Sequence, residues 1–170
     1  MRIELEKLDE ANRQFAHVFE PGELSLEDER ARLAGQVEVR GRVSREDGQV
    51  NVKGHLNAPV ELDCDRCLQP ITTQVDADFD VDYMPAAVYA AEPVAELQDD
   101  DLAVSVFDGE AIDIDDLVRE QIILALSSRA LCRDDCKGLC PVCGIDKNFK
   151  GCECESQPSD PRWAALNDLR

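Results

Sequence analysis

The chain has few aromatic side chains, at 5%, and only two histidines, His17 and His55. Such a shortage of rings deprives the core of its largest apolar groups, so part of the stability is expected to come from bound metal. The isolated histidines are read as surface or core residues rather than ligands. The opening MRIELEKLDE lacks the apolar stretch of a secretory signal, and the longest compact apolar run, Ile122 to Leu126, is far too short to cross a bilayer. This predicts a cytoplasmic chain with no membrane partner. Nucleophile–base pairs, phosphate-binding loops and catalytic histidine motifs are all missing, which argues against an enzyme and against a small-molecule substrate.

Positive charge is scarce as well, with 18 Lys and Arg against 37 Asp and Glu and a net charge of −19. Affinity for nucleic acid comes largely from neutralising phosphates, so broad contact with naked RNA or DNA is disfavoured. Five of these cations, Arg129, Arg133, Lys137, Lys147 and Lys150, collect around the second cysteine group, among Asp134, Asp135 and Asp146. A solvated surface accounts for this pattern, and a local contact with ribosomal RNA is the alternative. Acidic pairs at Asp115 and Asp116, and the run Asp99 to Asp101, fall in a helix first turn and a linker, where capping and solvation explain them.

Cysteine is the exception to this scarcity. Eight are present, as Cys64-x2-Cys67 and then Cys132-x3-Cys136-x3-Cys140-x2-Cys143-x8-Cys152-x-Cys154. In a reducing compartment thiols so spaced read as metal ligands, and a closed structural zinc site takes four thiolates. Eight cysteines therefore fill two Zn2+ sites and leave none for chemistry. Gly138-Leu139-Cys140-Pro141-Val142-Cys143-Gly144 is a zinc knuckle, and Cys152 and Cys154 are the nearest candidates for its other half. Cys64, Cys67, Cys132 and Cys136 then remain as a long-range clip, the kind of closure in which ligation gains most entropy. A competing partition gives Cys136, Cys140, Cys143 and one of the last two to a single ion, and spacing alone leaves it open. A dithiol redox centre at Cys64 and Cys67 is disfavoured by a strand setting and by Asp63 and Asp65. An iron–sulfur run is disfavoured by the x3 spacing before Cys136.

Periodicity predicts an α+β fold: a curved antiparallel β-sheet packed with one long helix, plus a small C-terminal zinc-knuckle lobe. Ile3, Leu5 and Leu8 alternate as in a short strand, and Pro21-Gly22 breaks the chain. Val37, Val39, Gly41 and Val43, then Asp47-Gly48, then Val50, Val52 and the run Leu56 to Leu62 describe a hairpin. A further strand follows through Ile71, Val75, Phe79 and Tyr83, placing the first cysteine pair at a strand-to-strand turn. Residues 84–103 read as an acidic, mobile linker. After a strand near Val104 to Ile114, Asp113 or Asp115 caps a helix over about 115–128, with Leu117, Val118, Gln121, Ile122, Leu124, Ala125 and Ser128 on one broad face. Domains are expected at 1–131 for the β-rich core, 132–154 for the cysteine-rich lobe, and 155–170 for a linker and short amphipathic tail. Within that tail Trp163 and Leu166 are candidate partner anchors.

Cys64-Asp65-Arg66-Cys67-Leu68, Ile112-Asp113-Ile114-Asp115-Asp116-Leu117, the helix ending Ile122-Ile123-Leu124-Ala125-Leu126, and Cys132 through Gly144 occur in an order that resembles the bacterial YceD family. The likeness spans most of residues 36 to 154. It implies a cytoplasmic factor in the synthesis, processing or stability of large-subunit ribosomal RNA, without a known catalytic centre. With the acidic charge, it points to a ribosomal or RNA-associated protein as partner. Ser127 stands where the family often has proline. Shorter members lack the last four cysteines, which favours the partition with Cys140, Cys143, Cys152 and Cys154 as a separate site.

Overall fold

The computed structural model describes residues 1–4, 13–46, 49–90, 104–107, 111–154 and 162. The chain divides into two compact units, one of Met1–Leu62 with Thr72–Ser128 and one of Asp63–Ile71 with Arg129–Arg170. Residues 63–71, which lie within the expected core domain 1–131, thus group with the late cysteines.

The first unit is mostly sheet. Strands β1 (Arg2–Glu4), β2 (Arg13–Phe19), β3 (Ala31–Leu33), β4 (Val37–Glu46), β5 (Gln49–Asp63), β6 (Pro70–Pro85), β7 (Val104–Phe107) and β8 (Ala111–Asp113) are joined by helices α1 (Ala86–Tyr89) and α2 (Ile114–Ala125). The main sheet runs β2-β4-β5-β6-β7, with β3 also on β5, while β1 and β8 form a separate antiparallel pair. The hairpin read from period two is present as β4 and β5, paired from Glu38↔Asn57 to Glu46↔Gln49. Alternation works here because successive side chains point to opposite faces. Val37, Val39, Val43, Val50, Val52, Leu56, Ala58 and Val60 are all buried along it.

Gly41 and Gly54 face each other in this pairing. A Cβ on Gly41 would sit 2.8 Å from the Phe15 ring, and one on Gly54 would sit 2.4 Å from that of Phe79. Each ring covers a site where the backbone alone fits.

On the other side of β5 and β6, side chains pair across the strands. Lys53 Nζ lies 2.6 Å from Asp80, His55 Nδ1 lies 3.0 Å from Asp78, and Asn51 Nδ2 donates to Asp82 at 2.7 Å. The hydrogen bond from Lys53 holds the Asp80 carboxyl below its ordinary range. His55 is therefore engaged by the carboxylates of Asp76 and Asp78.

Four expectations are corrected. The sheet is not wholly antiparallel: β6 and β7 run parallel from Asp82↔Val104 to Pro85↔Phe107. The intervening segment is long enough for the crossover that parallel pairing needs. Among the described residues there is no single long helix; α2 has 12 residues and ends at Ala125. Leu126 already has an extended ψ of 138, and Ser127 and Ser128 beyond it are weak helix formers whose hydroxyls compete for backbone hydrogen bonds. The apolar face is also narrower than expected, since Ile114, Leu117, Val118 and Ile122 are buried whereas Leu124 is 68% exposed. Finally, the linker expected over 84–103 begins as ordered chain, with Met84 and Pro85 ending β6 and Ala86–Tyr89 forming α1; 91–103 lie outside the described residues.

The cap on α2 is as expected, with the Asp113 side chain accepting from the Asp115 amide at 3.0 Å and acids in the first turn. Strands β2 and β3 went unread, being a short outer strand and a three-residue segment. Leu5, Leu8 and the Asp47-Gly48 turn lie outside the described residues. Among the described residues no helix is long and apolar enough to cross a membrane.

Candidate metal centres

In the second unit the chain between β5 and β6 makes a tight turn. The Leu68 amide donates to the Cys64 carbonyl and the Cys64 amide to that of Gln69, both at 2.9 Å, and Leu68 adopts a left-handed φ of 58. Such a turn folds Cys64 and Cys67 to the same side, where both are buried. Asp65 ties it to the later segment: its amide donates to the Ala130 carbonyl at 2.8 Å, and its Oδ2 accepts from the Ala130 amide at 2.7 Å. Arg66 Nη1 adds a bond to the Cys136 carbonyl at 2.7 Å.

These contacts bring Cys64, Cys67, Cys132 and Cys136 together, with Leu131 and Leu139 packed against them. Cys64 Sγ lies 3.9 Å from Cys136 Sγ and Cys67 Sγ lies 3.6 Å from Cys132 Sγ. A tetrahedral ion with metal–sulfur bonds of about 2.3 Å holds its sulfurs about 3.8 Å apart, whereas a disulfide needs about 2.05 Å. The spacing therefore suits a shared cation, and all eight cysteines are free thiols.

Cys140, Cys143, Cys152 and Cys154 form the second group, their sulfurs within 4.8 Å of one another. The knuckle closes through the Gly144 amide donating to the Cys140 carbonyl at 2.9 Å, with Gly144 at a φ of +72 that glycine adopts without strain. The separation into these two fours is the one that the knuckle spacing favoured. Each four can hold one ion, with thiolate donors of the kind that suit zinc.

The thiols of each group are pushed apart in acidity. Burial pushes Cys64 up, but the amides of Cys132, Arg66 and Cys67 outweigh it and bring the thiol down to about 6. Cys140 comes down to about 6 through the Cys143 and Val142 amides. Cys132 is pushed up to about 12 by burial and then by Cys136 and Cys67, and Cys154 to about 12 by Cys143 and burial. Four crowded sulfurs cannot all ionise alone, because like charges oppose one another; a divalent cation removes that opposition.

Between the groups runs Lys137-Gly138-Leu139. Gly138 has a φ of +70, and a Cβ there would lie 2.7 Å from the Arg66 carbonyl oxygen, which accepts from the Leu139 amide at 2.9 Å. Arg129, Arg133, Lys137, Lys147 and Lys150 all belong to this unit. Arg133 is engaged within the chain, by Asp135 at 3.3 Å and by Asn148 Oδ1 at 2.8 Å. Residues 63–71 and 129–154 carry six cations against six acids, so the net charge of −19 arises elsewhere in the chain. The bonding roles of Arg66, Asp146 and Asn148 have no signal in the sequence, since a polar residue in an irregular loop has no periodicity to betray it. Trp163 and Leu166 lie outside the described residues.

A protein-family profile described as large ribosomal RNA subunit accumulation protein YceD matches residues 52–170. The chain belongs to the YceD family. Its relatives include the uncharacterized protein Rv2926c of Mycobacterium tuberculosis, 30% identical over 152 residues that cover 89% of this chain and 70% of the relative. The uncharacterized protein YlbN of Bacillus subtilis is 26% identical across 98% of this chain and 92% of its own length. The chloroplastic large ribosomal RNA subunit accumulation protein YCED homolog 1 of Zea mays is 27% identical over 79% of this chain and 59% of its own. No solved structure matches.

Proposed function

We propose that this YceD family member is a zinc-stabilised, non-catalytic factor that supports accumulation, processing or stability of large-subunit ribosomal RNA, acting through a ribosomal or RNA-associated protein in the cytoplasm. The observation that carries this reading is the pair of all-cysteine fours, sulfurs 3.6 to 3.9 Å apart in the first. A zinc held by four thiolates keeps no open position for water or substrate, so it serves architecture rather than hydrolysis. The family description supplies the link to ribosomal RNA. Protein partnership is supported by the acidic charge, which attracts basic ribosomal proteins at long range, and by the apolar side chains of Leu68, Val142 and Phe149, exposed at 62%, 51% and 78% on the cysteine-rich unit.

Depleting the protein and measuring precursor and mature large-subunit RNA tests the reading. A fall in the mature species is expected, and unchanged levels of both overturn it. A second reading, direct RNA contact through the same unit, is favoured by its even balance of charge. Salt-titrated binding of an RNA fragment separates the two: loss of affinity and a shallower salt slope on charge reversal at Lys137, Lys147 and Lys150 selects RNA contact.

A further inference from the structure

Asn148 belongs to the loop that Cys143 and Cys152 bracket, yet its side chain reaches a sulfur of the other four. Its Nδ2 donates to Cys136 Sγ at 3.4 Å and to Asp146 Oδ1 at 2.7 Å, while its Oδ1 accepts from the Lys137 amide and from Arg133 Nη2, each at 2.8 Å. Both amide protons and the carbonyl oxygen are thus used. That fixes which way the amide points, because the reversed orientation would set an oxygen against the sulfur. The loop is seated by backbone contacts too: the Lys147 amide donates to the Gly138 carbonyl at 2.9 Å, and Leu139 bridges Asp146.

We propose that the two cysteine fours load metal as a coupled pair, with Asn148 as the positioning residue by which the Cys140–Cys154 group steadies Cys136 of the other. The inference rests on the metal-binding reading of both groups. Its logic is one of loop closure. With Cys143 and Cys152 on a common ion, the loop between them is closed and Asn148 is held where its N–H meets the sulfur. Without that ion the closure is lost, and Cys136 loses the N–H that holds its sulfur in place beside the other three. Coupling is reciprocal, so an occupied first group also favours the second.

The test uses the full chain, Zn2+ alone as probe, a competing chelator, and thiol alkylation mapped by peptide so that each group is read separately. Wild type is expected to protect both groups. Replacing Asn148→Ala should weaken zinc protection of Cys64, Cys67, Cys132 and Cys136 by about tenfold or more, and by the same linkage should remove the gain that an occupied first group gives the other four. The double change Cys152→Ser with Cys154→Ser should weaken the first group at least as much, although it touches none of its ligands. Asn148→Asp keeps an acceptor for the Lys137 amide and Arg133 but has no N–H for sulfur, so it should behave as Asn148→Ala. Retained hydrogen-exchange protection in β4 and β5 reports that each variant is folded. First-group affinity within about twofold of wild type in the alanine and double-serine variants overturns the coupling, and so does full rescue by aspartate. A wild-type chain whose eight thiols all stay reactive at saturating zinc refutes the metal reading itself, a distinct failure.

Discussion

The sheet unit and the cysteine unit solve one problem with different materials. In the first, buried Val37, Val39, Val43, Val50, Val52 and Leu56 repeat every second residue and remove apolar surface from water. In the second, the buried cluster among the described residues is Cys64, Cys67 and Cys136 with Leu131, Cys132 and Leu139 against it. A cluster that small offsets little of the conformational entropy of ordering its loops, and under the proposed zinc reading ligation supplies what hydrocarbon does not. The difference shows which perturbations each unit should feel.

Removing metal should separate them most. A strong chelator under reducing conditions is expected to abolish amide protection across 63–71 and 129–154, since structural zinc contributes on the order of 10 kcal/mol to folding in small domains. Protection in β4 and β5 should persist; equal loss in both units breaks the contrast. The reverse experiment is Leu56→Ala, which empties a fully buried position and should cost the sheet about 2–5 kcal/mol in denaturant unfolding without altering the number of ions bound.

Acidity should act on the cysteine unit more than on the sheet. Cys67 and Cys152 are pushed up by neighbouring thiols and burial despite nearby amides, and Cys132 and Cys154 stand at about 12, so each group holds at least two protons at neutral pH that an ion must displace. Metal-bound sulfur is deprotonated, so affinity rises with pH and falls on acidification, roughly tenfold per pH unit for each proton released. Zinc competition at two neutral pH values reads this directly, and pH-independent affinity contradicts it. The smallest effect is expected from Asp113→Ala. It deletes the cap of α2 and should lower stability of the sheet unit by about 1 kcal/mol, with zinc stoichiometry unchanged by native mass spectrometry.

What could be read from residues alone follows the same division. Val37 to Leu62 and Ile71 to Tyr83 announce strands because a sheet with one buried face imprints a period of two. The CxxC pairs announce ligation because a tight turn is the local way to aim two sulfurs together. Strands β2 and β3, and the parallel pairing of β7 with β6, depend on distant chain, which no local pattern records. The width of the α2 face failed for a related reason, since Leu124 is apolar but turned away from the stripe of Ile114, Leu117, Val118 and Ile122. Asn148 matters only through what it meets.

Gly138 carries a consequence for how such a chain can vary. Left-handed backbone and the nearness of the Arg66 oxygen both demand a residue without a side chain at that one place. The spacer between Cys136 and Cys140 is therefore a gauge block as well as a tether: one residue more or fewer would present a side chain to that oxygen, and the two halves of the lobe would lose their common register.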